Sequence, residues 1–464
     1  MNNAKSQSAL EYLMTYGWAI LIIVIVAGVL YSLGIFNPSS SASTTITGFS
    51  GLGSVRAICQ NSNGLVILLG NNLGKTIEIL QANATTGGKT IKVNFSVTIP
   101  PDQSTSLFFQ GVCPSSQGNR YSASLSIMYS EPGSVFPGPY ISSGTVSGTA
   151  SAGSYIPLTI TPSAATAVPF QQMVELNTTK YSGYVSNSPI NVYFSWPNGT
   201  IIPSWLESYG SSSQNATFWL KFPSGISSAT SIDLNFLPKN SIALNNDTIG
   251  EAPQLSPVYG EYDNGAKIFN YYTNFAGTSL PSSWAVVTLS NPGNYTVDNG
   301  ILFQTGGSGT VVLQYQASTY NPQTNIFDVF GAIETNGCMG FGMATLNNYA
   351  PCGATGAIGI MTDTNDLVYN VRSGGNQEAS FGVSVGPADT IMSIWENTTG
   401  ALGELNYSRI TYANGGFTAE TALYPSVTVQ ERTIPNSIMY AQYMRIRAYP
   451  PSGVMPSVTF GSVQ

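Results

Sequence analysis

The sequence predicts a mostly β protein: one N-terminal transmembrane helix followed by tandem extracellular β-sandwich domains, the last a jelly roll. Three observations carry that prediction. A single long apolar run, WAILIIVIVAGVLYSLGIF, lies near the start. Beyond it, short segments alternate apolar and polar residues with period two and are broken by Gly, Pro and Asn, the pattern of half-buried strands. Charged residues make up only 8% of the 464 positions, against roughly 25% in ordinary soluble domains, so the surface is solvated by hydroxyls and amides.

Composition also excludes chemistry. The chain has no histidine, which removes the usual general base near neutral pH, the commonest transition-metal ligand and any Ser-His-Asp or Cys-His mechanism. Lys and Arg number 15 against 22 Asp and Glu, a net charge of −7 with no basic run, so nucleic acid is not an expected partner. The four cysteines fall as two spaced pairs, Cys59 with Cys113 and Cys338 with Cys352, read as two disulfides or as buried free thiols.

In chain order, residues 18–36 form a run of nineteen without a charge, close to the roughly 20 that cross a bilayer as a helix. A cleaved secretory peptide has a shorter apolar region ending in small residues, whereas this one ends in Phe36, Asn37 and Pro38. Lys5 precedes the run and the next basic residue is Arg56, so the expected topology is single-pass in the cell membrane, with a cytoplasmic N-terminus and extracellular C-terminal domains. The approach to the run, KSQSALEYL, resembles the class III signal peptide of archaeal type IV pilin-like proteins. That resemblance implies a cut between Ser6 and Gln7, a leader of residues 1–6, a pilin-like helix over 7–36 and an assembly role for Glu11. At the edge of an apolar helix, Glu11 would pair with the freed α-amine of a like subunit. The alternative is an uncleaved signal anchor, with Glu11 solvated among headgroups.

Residues 37–47 are a Ser/Thr linker. Between 48 and 149, GLVILLGNN, KTIEILQANA, KTIKVNFSVTIP, SLFFQGVC and YSASLSIMYS predict a small β-sandwich whose two sheets Cys59 and Cys113 staple together. Residues 150–170, rich in Ser, Thr, Ala and Gly, read as a second linker. The β-domain at 171–270, together with the start of the next, resembles domain of unknown function 2341 of prokaryotic surface proteins in IPSWLES, FWLKFP and YTNFAGTSLPSSW. Residues 271–449, with strand-like GTVVLQYQAS, NIFDVFGAIE, GCMGFGMATL, DTIMSIWEN and YMRIRAYP, resemble a concanavalin A-like or laminin-G-like jelly roll, and 450–464 read as a tail.

Hydrolysis of glycans needs two carboxylates on one cleft. The acids of the jelly roll, Glu334, Asp363, Asp366, Glu396 and Glu404, do not form the Glu-x-Asp-x-Glu signature of glucanases with this fold, and the chain is read as no enzyme. No cofactor is expected apart from calcium, for which Asp363, Asn365 and Asp366 offer oxygen ligands, unless they form a plain turn. Trp395, Tyr407 and Tyr412 either stack on surface glycans or fill a core. Nine Asn-x-Ser/Thr sequons, at Asn83, Asn94, Asn177, Asn198, Asn215, Asn246, Asn294, Asn397 and Asn406, suit a surface glycoprotein. The reading is therefore a membrane-anchored, pilin-like surface protein that displays adhesion modules, with a monomeric lectin-like anchor or a surface glycosidase as alternatives.

Overall fold

The computed structural model describes residues 16–18, 20–26, 44–60, 64–114, 118–151, 153–210, 214–239, 241–245, 247–290, 294–305, 310–333, 338–347, 357–363, 366–372, 377–384, 389–397, 400–412, 421–430 and 437–464. The protein is mostly β, as expected. Residues 16–18 and 20–26 are helical. Among the described residues no helix is long and apolar enough to cross a membrane, so the spanning helix expected at 18–36 finds no support there; its residues 19 and 27–36 lie outside the described part. Backbone contacts divide the chain into two compact units, residues 1–77, 82–92 and 99–153, and residues 78–81, 93–98 and 154–464.

The first unit is built from β1 (Thr45–Gly48), β2 (Leu52–Gln60), β3 (Gly64–Asn71), β4 (Ile77–Thr86), β5 (Lys89–Ile99), β6 (Ser104–Phe109), β7 (Arg120–Ser130) and β8 (Tyr140–Thr149), residues 78–81 of β4 and 93–98 of β5 excepted. They form a five-stranded sheet, β1-β8-β7-β4-β5, and a three-stranded sheet, β2-β3-β6. Alternation decides the faces: along β7, Tyr121, Ala123, Leu125, Ile127 and Tyr129 are buried and the residues between them are not. Cys59 and Cys113 are bonded, with Cα atoms 5.7 Å apart. Cys59 lies on β2 and Cys113 follows β6, so the disulfide ties the two outer strands of one sheet across β3 and does not staple sheet to sheet.

The second unit begins with β9 (Ser154–Thr161), β10 (Phe170–Asn177), β11 (Val192–Ser195), β12 (Ile201–Ile202), β13 (Ser204–Ser208), β14 (Asn215–Phe222), β15 (Thr230–Phe236) and β16 (Ile249–Glu251). It continues through β17 (Tyr271–Thr273), β18 (Trp284–Ser290), β19 (Asn294–Val297), β20 (Ile301–Thr305), β21 (Thr310–Tyr315), β22 (Asn325–Ile333), β23 (Cys338–Ala344) and β24 (Ala357–Asp363). The remaining strands are β25 (Asp366–Arg372), β26 (Gln377–Ser384), β27 (Thr390–Asn397), β28 (Gly400–Leu405), β29 (Ser408–Tyr412), β30 (Tyr424–Gln430), β31 (Ser437–Ala448) and β32 (Ser457–Phe460).

Two sandwiches result. The first packs β10-β14-β13-β16 against β12-β11-β15-β9-β32, with Ile156, Leu158 and Ile160 of β9 meeting Phe194, Phe218 and Leu234 in its core. The second packs an eight-stranded sheet, β19-β20-β31-β22-β27-β28-β29 with β17 alongside β31, against a seven-stranded sheet, β18-β21-β30-β23-β24-β25-β26. Phe327, Val329, Phe341, Ile360, Val427 and Met444 fill the space between them, in the two-sheet arrangement of a jelly roll.

Two segments differ from the sequence reading. The stretch read as a linker, 150–170, contains β9, and the stretch read as a tail, 450–464, contains β32, which pairs with β9 through Val458 and Ile160. In SYIPLTIT the buried residues Ile156, Leu158 and Ile160 alternate with period two, a signal hidden by the surrounding Ser and Thr. The end of the chain thereby returns to complete the first sandwich of this unit.

Candidate functional site

The densest chemistry lies where β31 faces β13 and β14. Alternation along β31 sends Met444 and Ile446 into the jelly-roll core and Tyr443, Arg445 and Arg447 to the other face. There Arg445, fully buried, places Nη1 2.8 Å from Glu207 Oε1 and donates from Nε to Asp328 Oδ2 at 2.8 Å. Arg447 Nε donates to the same Asp328 oxygen at 2.8 Å. Glu207 also accepts from Trp219 Nε1 at 3.1 Å, from Tyr443 OH at 3.0 Å and from Tyr407 OH. The Arg445 guanidinium sits 4.6 Å from the Trp219 ring centre and 4.5 Å from that of Phe269. Burial alone would raise the Asp328 carboxyl, but Arg447 and Arg445 outweigh it and hold the group below its usual range. Arg445, Glu207 and Asp328 are buried, and their cluster ties one sandwich to the other.

A second hub lies beside it. Asp263 accepts from Trp205 Nε1 at 2.9 Å, Gly265 N at 2.9 Å, Tyr272 OH at 2.6 Å and Asn274 Nδ2 at 2.8 Å. Burial raises its carboxyl, against the lowering effect of those donors.

An open site is a pocket of about 400 Å³ between the β19–β20 turn and β31, whose lining includes Thr296, Asp298, Asn299, Gly300, Tyr440 and Gln442. Thr296 and Tyr440 are both cross-strand partners of position 302, one on each side, and so lie on one face of the sheet. The turn is pinned from behind: Asn299 N donates to Gly277 O at 3.0 Å, Gly277 N donates to Asn299 Oδ1 at 3.1 Å, and Gly300 N donates to Phe275 O at 3.2 Å. Opposite, Gln442 bulges from the ladder, because β22 pairs Phe330 with Tyr443 and Gly331 with Ala441. Tyr259 OH lies 2.7 Å from Gln442 O and 2.8 Å from Asn274 O, and burial pushes this phenol up. A carboxylate, two amides, a hydroxyl and an aromatic ring around a space of this size suit a small polar ligand.

The residues singled out in the sequence are dispersed. Asp363 and Asp366 are cross-strand partners closing the β24–β25 hairpin, while Asn365 lies outside the described residues. Among the described residues no group of three or more His, Cys, Asp or Glu gathers to hold a metal. Ser6, Gln7, Glu11, Asn246, Glu334 and Cys352, with the side chains of Cys338, Asn397 and Tyr412, lie outside the described part. Trp395 is buried beside Ile326 and Leu402, so it is a core residue and no sugar platform; Tyr407 belongs to the Glu207 cluster. Glu396 is buried and Glu404 lies 3.6 Å from Arg447. Asn94, Asn198, Asn294 and Asn406 are exposed, whereas Asn83, Asn177 and Asn215 are half-buried. Sequence reading misses the pocket, although VDNG between two strands is a turn signal that could mark it.

No family model matches the chain. It is 25% identical over 327 residues to an uncharacterised protein, 562, of Sulfolobus islandicus rod-shaped virus 1, a match covering 63% of this chain and 56% of that protein. The chain thus spans little more than half of that relative's length. Among solved structures it is similar to an endo-acting O-glycanase with which members of the human gut microbiota initiate mucin breakdown, at 9% identity and a TM-score of 0.32, over 39% of this chain and 99% of the other. A β-1,3-glucanase from Mycobacterium marinum matches at 12% identity and a TM-score of 0.30, over 38% of this chain and 98% of its own. The catalytic domain of a laminarinase from Thermotoga petrophila matches at 10% identity and a TM-score of 0.30, over 38% and 96%. At such identities the likeness concerns the fold of part of the chain. Beside neighbours that are glycan-cleaving enzymes, the expectation of a chain that is no enzyme does not stand and is withdrawn.

Proposed function

We propose that this chain is a surface protein that engages glycans through its jelly roll and is tethered by its N-terminal apolar segment. The observation that carries the first part is the open pocket at Asp298, Asn299 and Gln442, an accessible site whose lining includes polar residues. The tether is supported by the exposure of Trp18 and of every residue from Ile20 to Val26, apolar helical positions that no other described residue covers, an arrangement stable in lipid or against like helices. Residues 18–36 then hold the protein in the cell membrane with the sandwiches outside. Cleavage between Ser6 and Gln7 makes Glu11 an assembly residue in a pilin-like oligomer.

A glycan array probed with the full chain in detergent tests the first part, and release of reducing ends in the same incubations reports cleavage. Binding to none of a broad panel sinks the glycan reading. For the tether, the chain is expected in the membrane fraction with a mature N-terminus at Gln7; recovery in the soluble fraction with Met1 intact refutes it.

A further inference from the structure

Resting on the reading of this chain as glycan-engaging, we infer that the pocket between the β19–β20 turn and β31 takes a neutral pyranose, gripped at adjacent hydroxyls by Asp298 and Gln442, and discriminates against anionic sugars. The chemistry of the lining leads there. The Asp298 carboxylate offers two acceptor oxygens, matched to two neighbouring hydroxyls, and the Gln442 amide offers both a donor and an acceptor. Thr296 contributes a hydroxyl that serves either way, and Tyr440 an apolar ring. Among the described residues no cation lines the pocket, so a sugar carboxylate or sulfate would meet Asp298 with no compensating charge.

Both walls are set before a ligand arrives. Asn299 holds φ at 52°, a conformation asparagine tolerates, and is locked by its reciprocal bonds with Gly277. Gly300 holds φ at 124°, and a Cβ built there would lie 3.2 Å from Ala441 O and 3.7 Å from Gln442 Oε1. The missing side chain is what leaves room beside the Gln442 amide. Tyr259 fixes the bulge that carries Gln442. Preorganised walls reduce the ordering that binding would otherwise require.

The test titrates the full chain in detergent by calorimetry with methyl β-glucoside, methyl β-galactoside and methyl α-mannoside, and with glucuronic acid as the anionic counterpart. At least one neutral glycoside is expected to bind, with glucuronic acid about tenfold weaker or more; a lost or unmatched hydrogen bond of this kind corresponds to roughly that factor. Asp298→Asn and Gln442→Ala are each expected to weaken the neutral sugar by about tenfold while leaving the melting temperature unchanged. Tighter binding of glucuronic acid overturns the assignment, as does failure of all three neutral glycosides to bind, or binding of a neutral sugar that both substitutions leave intact. In that last case the glycan reading survives and only the pocket is wrong, whereas a chain that binds no glycan on the array loses both.

Discussion

Arg445 answers two buried carboxylates at once, and the fold of the second unit depends on it accordingly. Replacing it by Ala leaves Glu207 and Asp328 without their shared cation in a buried site, and removal of one partner from a buried pair costs about 3–5 kcal/mol. Chemical denaturation of Arg445→Ala is expected to show a loss of that order; a loss below about 1 kcal/mol, as for a surface pair, would mean the cluster is dispensable. Glu251 predicts a pH dependence. Burial pushes its carboxyl up to about 7 from 4.5, the Ser256 hydroxyl at 2.8 Å opposes this, and the charges of Glu261 and Asp263 add to it. Since the folded pKa lies above the unfolded one, the contribution is fully present below pH 4.5 and is lost as pH rises through about 7. Melting curves across that window are expected to fall, and Glu251→Gln to flatten them; a wild-type curve that rises with pH contradicts the shift. Neither residue is legible in the sequence. YMRIRAYP shows two arginines at alternate positions of a strand, but which face a strand buries is decided by what packs on it, and 236 residues separate Tyr443 from its partner Glu207.

Strands are far easier to read than their membership. The period-two segments from 64 to 130 and from 310 to 448 fold as β3 to β7 and β21 to β31, because alternation is a local signal. Pairing between distant segments is not local, and β9 with β32 is the example: 296 residues separate Ser457 from Thr161, which they bring together. Phe460 stacks on Tyr181 at 6.4 Å, and Val458 and Val463 pack against the first sandwich core of the second unit. A chain ending at Pro450 therefore exposes the edge of β9 and uncovers that core. It is expected to melt lower and to associate through the bared edge. An unchanged melting temperature and a monomeric elution profile would show that β32 is an accessory strand.

At the scale of the whole molecule, the division into two units makes a distinction that stability measurements can read. The disulfide between Cys59 and Cys113 joins two residues of the first unit, one on β2 and one just past β6, across a span of 54 residues. A cross-link of that span restricts the unfolded chain and contributes about 4 kcal/mol in the chain-entropy treatment, less where the unfolded state keeps structure. The double substitution Cys59→Ala with Cys113→Ala removes it without touching any group of the second unit's buried clusters. Hydrogen exchange is the suitable measurement, since it reports each strand separately. Protection is expected to fall in β2, β3 and β6, while β22 and β31, held by Asp328, Arg445 and Arg447, keep theirs. Equal losses in β3 and β31 would mean that the two units unfold as one, and the sandwiches would then have to be treated as a single cooperative body.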